Sequence, residues 1–139
     1  PVYIAWSSVN RSPLIRIPAG RGETTRVELR SPDPAANPYL VLAACLEAGL
    51  DGIRNQITPP DAVTENVFEM QLQQRAKLGI ESLPGDLEQA VEELEKDDYI
   101  KNVLGGHITE KYLEAKRAEW ADYRAQVTEW EIEKYLYKI

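Results

Sequence analysis

Five arginines stand at positions 11, 16, 21, 26 and 30, and no lysine accompanies them in the first thirty residues. Arg26-Val27-Glu28-Leu29-Arg30 places one carboxylate between two guanidinium groups on a single face of a strand. Side chains two apart on such a face are roughly 7 Å apart, close enough for their charges to interact. Guanidinium is favoured over ammonium where carboxylate or phosphate oxygens must be held by a planar fork. A lone carboxylate in such company is either half of a structural salt bridge or a ligand for Mg²⁺, which takes carboxylate oxygen together with phosphate. The spacing leaves both roles open for Glu28. The pattern as a whole is suited to holding something small and anionic.

The other chemistry-bearing residues carry less. His107 follows two glycines and has no Cys or carboxylate at metal-ligand spacing, so it reads as the start of a helix. Cys45 lies within an apolar run and reads as a small core residue. Trp120, Trp130 and the C-terminal tyrosines read as packing groups. Gly20-Arg21-Gly22 does not have the form of a phosphate-binding loop. A single histidine gives no Ser/His/Asp or Cys/His arrangement.

These residues need elements to position them. Val2–Trp6 is a short apolar run compatible with a strand, Leu14–Ile17 is a second, and Thr24–Arg30 alternates as a strand should. The stretch from Ala19 to Gly22 is a loop. Asn37 followed by Pro38 starts a helix, with the cap on Asn37 and proline in the first turn. That helix, residues 37–57, is apolar on nearly every face in its first half and is expected to be buried in a larger core than this chain can build. Pro59-Pro60 closes the segment. Asp86–Lys96 reads as an amphipathic helix with Leu87, Ala90, Val91 and Leu94 as its stripe and Glu92 paired with Lys96. A short helix through Tyr99–Leu104 ends at Gly105-Gly106, a long one runs from Ile108 to about Val127, and Thr128 with Glu131 forms a capping box for a last helix. The class is α+β: short antiparallel strands at the N-terminal end, a buried helix, and an acidic helical tail over residues 86–139.

A length of 139 residues and a mass of 15.7 kDa correspond to one domain. Residues 1–30 hold five basic groups against two acidic ones, a net of +3, whereas residues 31–139 hold eleven against twenty-one, a net of −10. The acidic balance speaks against nucleic acid as a partner. The longest apolar run, Tyr39–Leu46, has eight residues, too few to span a bilayer. One cysteine excludes an internal disulfide and fits a reducing compartment, so the expected location is cytoplasmic. The chain opens on Pro1 rather than methionine, as a processed or excised chain would.

Four ordered motifs then resemble a known family. Asn10-Arg11-Ser12-Pro13-Leu14-Ile15-Arg16-Ile17-Pro18, Thr25-Arg26-Val27-Glu28-Leu29-Arg30, Asp33-Pro34-Ala35-Ala36-Asn37-Pro38-Tyr39-Leu40 and Ala48-Gly49-Leu50-Asp51-Gly52-Ile53 are similar to the C-terminal part of the catalytic domain of bacterial type I glutamine synthetases. The resemblance runs through the acidic tail. It implies an ATP-dependent glutamate–ammonia ligase that passes through γ-glutamyl phosphate and uses Mg²⁺ or Mn²⁺. It further implies that Arg11 contacts the transferred phosphate and the glutamate side chain, Arg16 the nucleotide phosphates, and Arg30 the substrate carboxylate. Arg26 lies beside the nucleotide, and Glu28 binds the metal on the nucleotide side. Such enzymes form two stacked hexameric rings, and the apolar stripe of Trp130, Ile132, Tyr135 and Leu136 would suit burial in a neighbouring subunit. The family's other metal ligands and its flap glutamate would fall upstream of Pro1, so the isolated chain is expected to be inactive. Where some members carry a nucleotidylated tyrosine, this chain has Phe68, in Asn66-Val67-Phe68, which points to the branch governed by feedback and partner proteins. A γ-glutamyl ligase acting on another amine is a second reading. A non-catalytic interaction module is a third, which the joint presence of Arg11, Arg16, Glu28 and Arg30 opposes.

Overall fold

Short apolar runs punctuated by Ser, Pro and Gly can pair over only a residue or two, and the head of this chain does so. The computed structural model describes residues 1–136 and Lys138. It divides into two units, Pro1–Leu83 and Pro84–Ile139. The elements are strands β1 (Tyr3–Ile4), β2 (Trp6–Ser7), β3 (Ile15–Arg16), β4 (Glu28–Leu29) and β5 (Glu81–Ser82), with helices α1 (Pro38–Arg54), α2 (Leu72–Lys77), α3 (Leu87–Lys96), α4 (Asp98–Leu104), α5 (Gly106–Arg124) and α6 (Glu129–Glu131). The α+β class is as expected.

In the first unit β2, β3 and β4 form one sheet in that order, and β1 pairs separately with β5. The expectation of antiparallel strands holds for β3–β4 and β1–β5 but fails for β2–β3, which run parallel. The reason is local. The chain loops out after Ser7 and returns alongside itself, held by Leu14 N–H on Tyr3 O, Ile15 N–H on Ala5 O and Ile17 N–H on Ser7 O at 2.9–3.1 Å. The strand expected over Thr24–Arg30 shortens to Glu28–Leu29 because Gly22, at φ 70°, turns the chain through a 3₁₀ segment at Gly22–Thr24. With no strand beyond β4, Val27 stays 65% exposed.

Helix α1 begins where Asn37 and Pro38 place it: the Asn37 side chain accepts from Tyr39 N–H at 3.0 Å and Leu40 N–H at 3.4 Å. Its expected burial is corrected by the structure. No residue of α1 is buried, and Tyr39, Leu42, Leu46 and Ile53 are 82, 68, 64 and 74% exposed. Cys45 is exposed too, rather than in a core. The first unit keeps its buried side chains (Leu14, Val67, Met70, with Pro13 and Ser7) outside the helix, whose residues are at most half-buried. Burying Val67 completely contributes about 1.5–3 kcal/mol.

In the second unit α3, α4 and α5 pack together, with Val91 and Thr109 buried. Asp86 caps α3 by accepting from Gln89 N–H at 2.8 Å. Lys96 pairs with Glu93 at 2.8 Å, three residues away, instead of with Glu92. The Glu93 hydrogen bond is the larger cause that raises the lysine pKa, and Glu92 adds a smaller attraction. Gly105, at φ 79°, ends α4, whereas Gly106 already belongs to α5, so His107 sits in a first helical turn as its position implied. An Arg117–Glu95 ion pair ties α5 to α3. The capping box is present: Thr128 N–H donates to the Glu131 carboxylate at 2.8 Å and Thr128 Oγ1 accepts from Glu131 N–H at 3.2 Å. A π turn over Ile132–Leu136 follows; the stripe residues Trp130, Ile132, Tyr135 and Leu136 are all exposed, and the rest of the expected last helix, at Tyr137 and Ile139, lies outside the described residues.

Candidate functional site

The β3–β4 ladder positions the charged side chains. Arg16 on β3 stands opposite Glu28 on β4 in the antiparallel register, and cross-strand partners meet on one face. The Arg16 Nη1 to Glu28 Oε2 distance is 3.0 Å. Arg26, two residues before Glu28, closes on the other oxygen, with Nη2 at 2.7 Å and Nε at 2.9 Å from Oε1. Glu28 is thus clamped between two guanidinium groups. The hydrogen bond from Arg16 is the largest influence and, with the hydrogen bond from Arg26 and the attraction of both charges, holds its carboxyl below the usual value of 4.5 against an opposing rise from desolvation.

Arg30 follows β4, and its backbone N–H donates to Leu14 O at 2.9 Å. Its guanidinium reaches the carbonyls of Arg11 and Pro13. Arg21 turns inward on its own loop, donating to Pro18 O at 2.8 Å and Gly20 O at 2.9 Å. Arg11 differs. It is exposed, and its guanidinium has no partner among the described residues. Arg16 Nε–H is buried without an acceptor, a donor left over after the Glu28 contact.

Of the five residues the sequence singled out, the structure therefore brings Arg16, Arg26 and Glu28 into direct contact and joins Arg30 to Arg11 through a backbone carbonyl. Two residues were missed. Asn10 and Ser12 flank Arg11 and bond the segment 63–67, and the Asn-x-Ser spacing, which favours local side-chain turns, was the available signal.

The donor set of this chain alone does not fit a divalent cation. Both oxygens of Glu28 are engaged by arginines, and the described residues contain no group of three or more His, Cys, Asp or Glu side chains placed to hold a metal. What the arrangement offers is a cationic surface for phosphate or carboxylate oxygens, with one carboxylate in its midst. No helix among the described residues is long and apolar enough to cross a membrane.

Residues 1–135 match the family described as glutamine synthetase, catalytic domain. The chain is 57% identical over 137 residues to the glutamine synthetase of Thermotoga maritima, covering 99% of this chain and 31% of the relative. It is 53% identical over 136 residues to that of Methanocaldococcus jannaschii, covering 98% and 30%. Among solved structures, a GmaS/ADP complex superposes with a TM-score of 0.83 at 40% identity, covering 98% of this chain and 30% of that one, and GmaS without ligand superposes at 0.80. The chain thus spans less than a third of the length of the curated relatives it matches, and over that span it belongs to the glutamine synthetase catalytic-domain family.

Proposed function

We propose that this chain is the C-terminal part of the catalytic domain of an ATP-dependent ligase that joins ammonia to glutamate through γ-glutamyl phosphate. What carries the reading is the Arg16–Glu28–Arg26 cluster, together with the Arg30 guanidinium on the Arg11 carbonyl. The reaction brings together two anions, and the migrating phosphoryl group spreads charge over its equatorial oxygens. Fixed guanidinium groups offset that charge and hold the reacting atoms in line. Arg11, with its unpaired fork, contacts the transferred phosphoryl group and the glutamate side chain. Arg16 serves the nucleotide phosphates, with Arg26 beside the nucleotide, and Arg30 takes the substrate carboxylate. Glu28 would be this chain's one ligand to a Mg²⁺ or Mn²⁺ ion, sharing a carboxylate that the arginines already engage, and the other ligands would have to come from outside this chain. Bound there, the ion would draw charge from the phosphates.

On this reading the isolated chain is inactive, the complete ligase is a cytoplasmic assembly of two hexameric rings, and the exposed stripe at Trp130, Ile132, Tyr135 and Leu136 meets a neighbouring subunit. The testing experiment is phosphate release by the complete protein with ATP, glutamate and ammonia. Arg11→Ala is expected to lower kcat by roughly 100-fold or more; turnover at the wild-type rate would overturn the reading.

A ligase for a larger amine is the second reading, favoured by the GmaS structures at TM-scores of 0.83 and 0.80. Comparing kcat/KM for ammonia and methylamine distinguishes the two.

A further inference from the structure

Arg11 is the one site arginine whose guanidinium is unpaired among the described residues, yet the backbone on both sides of it is anchored. Ser7, fully buried, begins the anchoring: its Oγ accepts from Val9 N–H at 3.2 Å and Asn10 N–H at 3.3 Å. The Asn10 carboxamide then works in two directions. Its oxygen accepts from Ser12 N–H at 2.9 Å and from Ser12 Oγ at 2.7 Å. Its NH₂ group donates toward the carbonyls of Val63, Thr64 and Glu65 at 3.3, 3.0 and 3.1 Å. Ser12, itself only 6% exposed, accepts Val67 N–H at 3.0 Å, and Val67 is fully buried. The hydroxyl proton goes to Asn10 and the lone pair to Val67, so every polar group in this network has a partner. From the other side, the Arg30 guanidinium holds the Arg11 carbonyl.

From this geometry we infer that Asn10 and Ser12 are positioning residues for Arg11, with segment 63–67 as the abutment against which they hold it. The inference rests on the role proposed for Arg11 above. A side chain that must meet a moving phosphoryl group gains most from a fixed backbone, because a displacement of about 1 Å costs on the order of 100-fold in rate. The abutment is more than fifty residues away in sequence, so changes in that segment reach the reaction through the Asn10 carboxamide.

Asn10→Asp is the sharpest probe. It keeps the shape and the acceptor for Ser12 but turns an oxygen toward three carbonyl oxygens. In the complete protein it is expected to speed amide hydrogen exchange over residues 63–67 and to lower kcat for ATP-, glutamate- and ammonia-dependent phosphate release by roughly 10- to 100-fold. Combined with Arg11→Ala, it should add little to the loss caused by Arg11→Ala alone, because residues acting as one unit are non-additive. A merely structural role would multiply the two losses. Should Asn10→Asp fail to fold, Ser12→Ala removes the Val67 link and the hydroxyl's bond to the Asn10 carboxamide, and takes its place in the same cycle. Multiplicative losses, or faster exchange with unchanged kcat, would overturn the positioning role while leaving Arg11 as assigned. Wild-type turnover by Arg11→Ala would overturn both.

Discussion

Arg16 and Glu28 face each other across the two-residue β3–β4 ladder, and their 3.0 Å ion pair extends the backbone pairing into the side chains. Arg26 completes the clamp from within the same segment as Glu28. An ion pair whose side chains are 19 and 28% exposed contributes modestly to stability, but it fixes the direction in which both groups point.

The clamp has a pH signature. Because the arginines hold the folded-state pKa of Glu28 below the usual 4.5, its contribution to stability is fully present above that value and is lost as the pH falls through the lowered one. Thermal denaturation of the complete protein and of Glu28→Gln should therefore differ most near neutrality. The gap should begin to narrow below about pH 4.5 and close once the pH has fallen through the lowered value. A gap that persisted into strong acid would mean that the carboxylate is not what the arginines hold.

Arg30 is expected to tolerate lysine poorly. Its guanidinium spans the carbonyls of Arg11 and Pro13, and lysine keeps the charge but loses the fork. In the complete protein Arg30→Lys should raise the KM for glutamate about tenfold or more with ATP dependence near normal. Steady-state kinetics with each substrate varied in turn will measure this, and an unchanged glutamate dependence would remove Arg30 from the substrate carboxylate.

Phe68 cannot accept a nucleotide, since it has no hydroxyl. Its ring instead packs edge-on against Tyr3, with centroids 5.4 Å apart, and the Arg75 guanidinium stands over the Tyr3 ring at 4.7 Å. Incubation with a competent adenylyltransferase should leave the peptide covering residues 64–70 at its unmodified mass, and a nucleotide adduct there would refute this.

For the chain alone, calorimetric titration with ATP should give weak binding that falls with salt and changes little when Mg²⁺ is added. Arginines attract the phosphates, while Glu28 offers a cation a single, already engaged carboxylate. Tight, metal-dependent binding would show that the metal has been assigned to the wrong residue.

Much of the fold was legible where a single residue type has a single local use. Asn37-Pro38 marked the start of α1, and Thr128 with Glu131 marked the capping box, whose hydrogen bonds hold the Glu131 carboxyl below its usual range. What escaped was non-local. β5 has only two residues, and nothing in Glu81-Ser82 announces a partner as distant as Tyr3 and Ile4. The parallel course of β2 and β3 depends on how the intervening loop folds back, which no periodicity encodes. The arginines of the site were visible because charge pattern survives without a structure. Asn10 and Ser12 were not, because an amide or hydroxyl gains its meaning from the backbone groups it finds, here the carbonyls of residues 63–65 and the N–H of Val67.

The uncovered apolar side of α1 has a consequence for any measurement on this chain in isolation. Leu42 and Leu46, one turn apart and each more than half exposed, give a second molecule something to associate with. Whatever shields them only when molecules meet stabilises the chain by mass action. Its apparent melting temperature should therefore climb with protein concentration, and dilution alone should act as a denaturant.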